Sequence, residues 1–244
     1  MLGKQKIKYI QSLGHKKLRD EEGFFIAEGP KIVEELLLFA NENVKQVYAL
    51  KEWIDTNKNN AGNIEWTEIT EDELGKISQL ATPNKVIAVV KKFDEDTIPV
   101  TKGNISLVLD KIQDPGNLGT IIRIADWFGV SSIICSRDCA DMYNPKVVQA
   151  TMGSISRVNV VYTDLAAWLA AQNEIRIYGT TLEGQDVTAM EKIKEGIIVI
   201  GNESKGISEE VKKLVNVKIT IPQKGKAESL NAAVAAGIIL SHLV

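Results

Sequence analysis

Two hexapeptides, ISLVLD (residues 105–110) and GIIVIG (residues 196–201), are apolar almost without interruption. A strand with one wet face alternates apolar and polar residues, whereas a strand covered on both faces does not. The two runs therefore predict a parallel sheet with helices on both sides. SSIICS, VNVVY, RIYGTTL and VKITIP read as further strands, and helical patterns lie between them in NLGTIIRIADW (opening at about Leu118), PKVVQAT, DLAAWLAAQ and ISEEVKKLV. Strand and helix alternating through short connections is the pattern of an α/β fold. The last element, SLNAAVAAGIILSHLV, is apolar nearly all round, as expected of a helix buried against a sheet or a partner subunit.

The N-terminal part holds a smaller α/β series. FFIAEG reads as a strand, and Pro30 opens a helix whose stripe is Ile32, Val33, Leu36, Leu37 and Ala40. KQVYAL, NIEWTEI and VIAVVKK read as strands, and Thr70-Glu71-Asp72-Glu73 is a capping box opening a helix. A polar stretch over 92–104, with Pro99 and Gly103, reads as a linker. The expected domains are residues 1–97 and 98–244.

A net charge of −3 gives no overall basic footprint, but the first 19 residues carry Lys4, Lys6, Lys8, Lys16, Lys17 and Arg19 with no acid among them. That cluster suits either phosphate contact or a solvated terminus. Cys135 and Cys139 are expected as reduced thiols near a strand end. With only His15 and His242 beside them, they do not make a metal site, and none is expected. No run approaches the roughly 18 apolar residues that cross a bilayer. The basic N-terminus lacks an apolar signal core, so a cytoplasmic location is expected.

Ligands of open α/β sheets bind at the carboxyl ends of strands. Three segments rich in Gly and polar residues fall there: DPGNLGTIIR (114–123), GNESKGIS (201–208) and IPQKGKAESLN (221–231). None is a dinucleotide fingerprint, a P-loop or a nucleophile elbow. Taken singly, each has a structural reading: Asn117 or Ser229 as a helix N-cap, Gly201 and Gly206 as turn residues, Arg123 in a surface pair with Asp126.

Together and in this order they resemble the SpoU family of RNA ribose 2′-O-methyltransferases, within the SPOUT superfamily. The matching residues are Asn117, Gly119 and Arg123; Gly201, Asn202, Glu203 and Gly206; and Ile221, Pro222, Gly225, Ser229, Leu230 and Asn231. The N-terminal stretch QSLGHKKLRDEEGFFIAEGPKIVEELL is similar to the family's small substrate-binding domain. Three positions depart from the family's usual residues: Gln149 stands where Arg is frequent, Ser204 for Gly, and Gln223 for Met.

The resemblance implies a C-terminal trefoil knot, S-adenosyl-methionine as methyl donor, RNA as substrate and a homodimer. By position, Gly201, Ile221 and Leu230 would contact the cofactor. Arg123, Asn117, Glu203, Ser229 and Asn231 would be catalytic. A guanidinium offers five donors and no lone pair, so Arg123 is expected to stabilise a developing alkoxide and clamp a phosphate rather than act as a base. Asn117 and Glu203 would orient Arg123 or the ribose, and Ser229 and Asn231 would shape the hydroxyl pocket. Large-subunit ribosomal RNA is the expected substrate, in a housekeeping or an antibiotic-resistance modification. The alternatives are a transfer RNA methyltransferase and a non-catalytic RNA-binding assembly protein.

Overall fold

In a computed structural model, residues 2–58, 64–94 and 102–244 are described. The chain forms two compact units, Met1–Asp94 with Tyr143–Ser156, and Glu95–Met142 with Arg157–Val244. The expected boundary at 97/98 lies outside the described residues. The first unit also takes in residues 143–156, which sequence alone groups with the later strands. The Tyr143 ring lies 4.8 Å from that of Phe25, its hydroxyl accepts the Phe93 N–H at 3.0 Å, and the Gln149 amide donates to the Glu28 carbonyl at 2.9 Å.

The first unit contains α1 (Lys4–Ser12), α2 (Lys16–Glu22), β1 (Phe24–Glu28), α3 (Pro30–Phe39), β2 (Val44–Ala49), α4 (Lys51–Asn57), β3 (Glu65–Glu68), α5 (Glu71–Ile77) and β4 (Val86–Lys91). Its four strands lie in the order β1-β4-β2-β3, with β4 antiparallel to both neighbours and β2 parallel to β3. The capping box of α5 forms as expected from Thr70 and Glu73. The basic terminus is helical, and one member of its cluster is structural. Arg19 is 2% exposed, and its Nη1 donates to the carbonyls of Leu13 (3.1 Å) and Gly14 (2.7 Å), closing the turn between α1 and α2. Lys4, Lys8, Lys16 and Lys17 remain exposed.

The second unit contains β5 (Ile105–Asp110), α6 (Pro115–Trp127), β6 (Ser132–Ser136), β7 (Asn159–Thr163), α8 (Leu165–Ala170), β8 (Ile177–Asp186), β9 (Gly196–Gly201), α9 (Glu209–Lys212), β10 (Val217–Thr220) and α10 (Ala232–Leu243); α7 (Pro145–Thr151) belongs to the first. Its sheet is parallel throughout, in the order β10-β8-β9-β5-β6-β7. The two uninterrupted apolar runs, β5 and β9, are adjacent central strands, as burial on both faces requires. Strand order turns at β5, which has β6 on one side and β9 on the other, and such a switch point opens a crevice at the carboxyl ends. Helix α9 is shorter than ISEEVKKLV suggests. Asn216 is drawn into the sheet instead, its N–H donating to the Ile177 carbonyl at 2.9 Å and its side chain accepting the Ile177 N–H at 2.8 Å.

Both cysteines are free. Cys135 is buried in β6. Cys139, in the turn after it, accepts the Ile112 N–H at 3.3 Å. The bond from the Cys135 thiol brings the Cys139 thiol down to about 7, while the same bond and burial push Cys135 up. In native protein, alkylation of Cys139 should therefore rise with pH through a midpoint near 7 and Cys135 should stay unmodified, read by peptide mass spectrometry. Equal labelling of both would contradict this asymmetry.

Candidate active site

Asp110, the last residue of β5, and Gly201, the last of β9, are register partners, so the first two sequence motifs leave the sheet side by side. After β5 the chain turns through Lys111, held at φ 60°, and enters α6 at Pro115. The helix cap is Asp114, whose Oδ1 accepts the Asn117 N–H at 2.8 Å, so the helix begins three residues before Leu118 and Asn117 is not the cap. With Asp114 in that role, the Asn117 amide is free to point elsewhere.

It links all three motifs. Asn117 Nδ2 donates to Glu203 Oε1 at 2.5 Å, and Asn117 Oδ1 accepts from Asn231 Nδ2 at 2.8 Å. The bonded pairs are 86 and 114 residues apart in sequence, so only the folded sheet makes this Glu203–Asn117–Asn231 chain. Asn231, rather than Ser229, caps α10; its Oδ1 accepts the N–H groups of Ala233 (3.0 Å) and Val234 (3.3 Å). Asn231→Ala should therefore lower stability by about 1 kcal/mol, a fall in Tm of roughly 2–4 °C. An unchanged melting curve would exclude the capping role.

The loop after β9 is closed by its own backbone. Asn202 and Gly206 exchange N–H···O bonds at 3.0 and 2.8 Å. Asn202 Oδ1 accepts from Ser204 N (3.0 Å) and Lys205 N (3.2 Å), and its Nδ2 donates to the Lys111 carbonyl at 3.0 Å. Gly201 packs against this turn so closely that a Cβ would lie 2.3 Å from the Gly206 carbonyl carbon. Buried Asp110, 2% exposed, accepts the Ser208 N–H at 2.7 Å and anchors the far end. Sequence reasoning gave Asp110 no role; its signal is a carboxylate ending an apolar strand.

The third loop runs exposed from Pro222 to Leu230, and among the described residues it makes no backbone–backbone hydrogen bond. Gln223 shapes it, donating to the carbonyls of Gly225 (3.0 Å) and Ala227 (2.7 Å), bonds a Met there could not make. Free backbone donors and acceptors beside a half-exposed Leu230 suit a ligand held by main chain and apolar contact.

Arg123 is exposed on α6 and makes no hydrogen bond or ion pair among the described residues. The alternative partner is taken: Asp126 is gripped by Arg157, Nε to Oδ1 at 3.2 Å and Nη2 to Oδ2 at 2.7 Å. Thus the structure unites Asn117, Glu203 and Asn231, and seats Gly201 under the second loop. It makes no bond from Arg123, Ser229, Ile221 or Leu230 to that trio. Among the described residues no cluster of His, Cys, Asp and Glu is built to hold a metal ion.

Residues 104–241, more than half the chain, match the SpoU rRNA Methylase family. The chain belongs to the SpoU rRNA methylase family. Residues 4–88 match the MRM3-like substrate binding domain, so the family pattern extends through the first unit. Among its relatives, the 23S rRNA (guanosine(2553)-2'-O)-methyltransferase RlmP of Bacillus subtilis is 30% identical over 98% of this chain and 96% of its own length. A putative RNA methyltransferase of the TrmH family from Porphyromonas gingivalis superposes with a TM-score of 0.89 at 35% identity, covering 99% of this chain and 98% of the other. The SpoU methyltransferase AviRb from Streptomyces viridochromogenes, solved with AdoMet, gives 0.85 at 27% identity over 99% and 97% of the two chains.

Proposed function

We propose that this SpoU family member transfers a methyl group from S-adenosyl-methionine to a ribose 2′-hydroxyl of large-subunit ribosomal RNA. The observation that carries the reading is the Glu203–Asn117–Asn231 chain, which ties the three motif loops into one site at the switch point of the sheet. When bound, the cofactor supplies an electrophilic methyl on a sulfonium, so the protein has to position and polarise the nucleophile. The turn packed on Gly201, the exposed main chain from Ile221 and the Leu230 side chain fit that ligand. Arg123 stabilises negative charge developing on the 2′-oxygen and holds a neighbouring phosphate. Glu203, fixed by Asn117, orients the ribose, and Ser229 and Asn231 shape the hydroxyl pocket.

Full-length similarity to RlmP and the substrate-binding match over the first unit favour ribosomal over transfer RNA. A homodimer is supported by apolar side chains left in the open on the packed pair α6 and α10, Trp127 at 84% and Val234 at 51% exposure. The β8–β10 half of the sheet carries the trefoil knot in this reading. No described helix is long and apolar enough to cross a membrane, and a ribosomal RNA substrate supports a cytoplasmic location.

The test is transfer of labelled methyl from S-adenosyl-methionine to total RNA, wild type beside Arg123→Ala, with RNAs separated by size. Label on large ribosomal RNA that the variant loses supports the reading. Label on transfer RNA overturns the substrate, and wild-type RNA affinity without any transfer identifies a binding protein.

A further inference from the structure

Lys111 is one of three described residues other than glycine with a positive φ, and the one that stands at the mouth of the site. Its backbone is pinned on both sides, the N–H to Ser136 Oγ at 2.9 Å and the carbonyl by Asn202 Nδ2 at 3.0 Å. Left-handed backbone at a residue with a Cβ is strained, and such strain collects at functional sites. A glycine would meet the same φ freely, so what lysine adds here is its side chain, which is exposed.

The Asn202 amide that holds Lys111 also holds a second lysine. Its Oδ1 accepts the Lys205 N–H at 3.2 Å, so one side chain fixes two lysine-bearing turns against each other. Lys205 is exposed too, and neither ammonium makes an ion pair or hydrogen bond among the described residues. The next residue to Asn202 is Glu203, whose carboxylate is engaged by Asn117. In a chain of net charge −3, two lysines with no partner among the described residues thus stand on turns joined by Asn202 at the edge of the candidate active site. Two exposed lysines on joined turns suit an anion that both side chains can reach, and the anion that an RNA brings is a phosphodiester.

We propose that Lys111 and Lys205 form a two-ammonium clamp for one backbone phosphate of the RNA beside the target nucleotide. The proposal rests on the reading of the site as one that acts on RNA. It adds a contact that fixes register along the strand and carries no base information.

The experiment compares wild type, Lys111→Gly, Lys205→Ala and the double variant. It uses filter retention of protein-free large-subunit ribosomal RNA over a salt series, thermal melts, and titration with S-adenosyl-methionine. Each single variant is expected to bind RNA roughly three- to tenfold more weakly at low salt, and to flatten the slope of log affinity against log salt by about 0.7–0.9. The double variant should flatten it by about twice that. Lys111→Gly should melt no lower than wild type and up to roughly 4 °C higher, since it releases strain. Cofactor affinity should stay within about twofold, because a phosphate contact is made by RNA alone. A wild-type slope in the double variant overturns the clamp, and a lower melting temperature for Lys111→Gly overturns the strain argument. Retention of RNA by wild type without methyl transfer overturns the enzyme reading and still decides the clamp by the slopes; no retention at any salt overturns both.

Discussion

Gly201→Ala should abolish measurable cofactor binding and lower the melting temperature by roughly 6–12 °C. The added Cβ would stand 2.3 Å from the Gly206 carbonyl carbon and 2.4 Å from the Ile207 nitrogen. Both obstacles are backbone, so no rotamer change relieves them. The turn itself has to open. That turn is held by the paired N–H···O bonds between Asn202 and Gly206 and by the Asn202 side chain. Its far end is fixed by the Asp110–Ser208 bond. Overpacking of this kind destabilises by about 3 kcal/mol when the surroundings cannot shift. The functional loss follows from the same displacement, because the turn packed on Gly201 is the surface proposed to hold the cofactor, and Glu203, in that turn, would also leave Asn117. Melting curves and titration with S-adenosyl-methionine check both halves. A variant that melts with wild type and binds the cofactor normally would mean that the turn is free to move, and that its hydrogen bonds do not define the site.

The same loop shows what could be read in advance and what could not. The order of the three motifs and their places at strand ends were legible, because apolar runs bounded by Gly and polar residues mark the carboxyl edge of a parallel sheet. That Asn117 would bond both Glu203 and Asn231 was not, since pairs 86 and 114 residues apart leave no periodic trace. Local competition explains the misplaced caps. Asp114, Asn117, Ser229 and Asn231 are all good N-cap residues, and only the backbone path decides that Asp114 and Asn231 take the role. Arg19 stood within a run of lysines and looked like one of them, yet the carbonyls of Leu13 and Gly14 hold it inside. Burial of a charged residue depends on acceptors that composition does not display. Residues 143–156 join the first unit for a related reason, through a tyrosine ring and a glutamine amide whose partners lie far back in sequence. Gln149 is thereby spent on the Glu28 carbonyl.

Arg123→Ala should lower kcat for methyl transfer by roughly 10²–10³, the usual loss when one placed donor to a developing oxyanion is removed. Stability should barely change. Arg123 is exposed and bonds to nothing among the described residues, and surface changes of that kind stay within about 0.5 kcal/mol. This combination separates a reacting role from a structural one. A guanidinium built into the fold looks like Arg157, which grips both oxygens of a half-buried carboxylate, Asp126. Arg123 stands on the same helix as Asp126, three residues away, and does not compete for it. Its full set of donors is thus unbonded among the described residues, as the proposed contact with substrate requires. Arg123→Lys should recover part of the rate, since it keeps the charge and loses the planar fork. Single-turnover transfer at saturating RNA and cofactor measures the step directly, with S-adenosyl-methionine affinity and the melting curve as controls. A kcat within about threefold of wild type for Arg123→Ala would remove Arg123 from the chemistry. The polarising group would then have to be sought in the Glu203–Asn117–Asn231 chain, where Asn231→Ala and Asn117→Ala become the deciding variants.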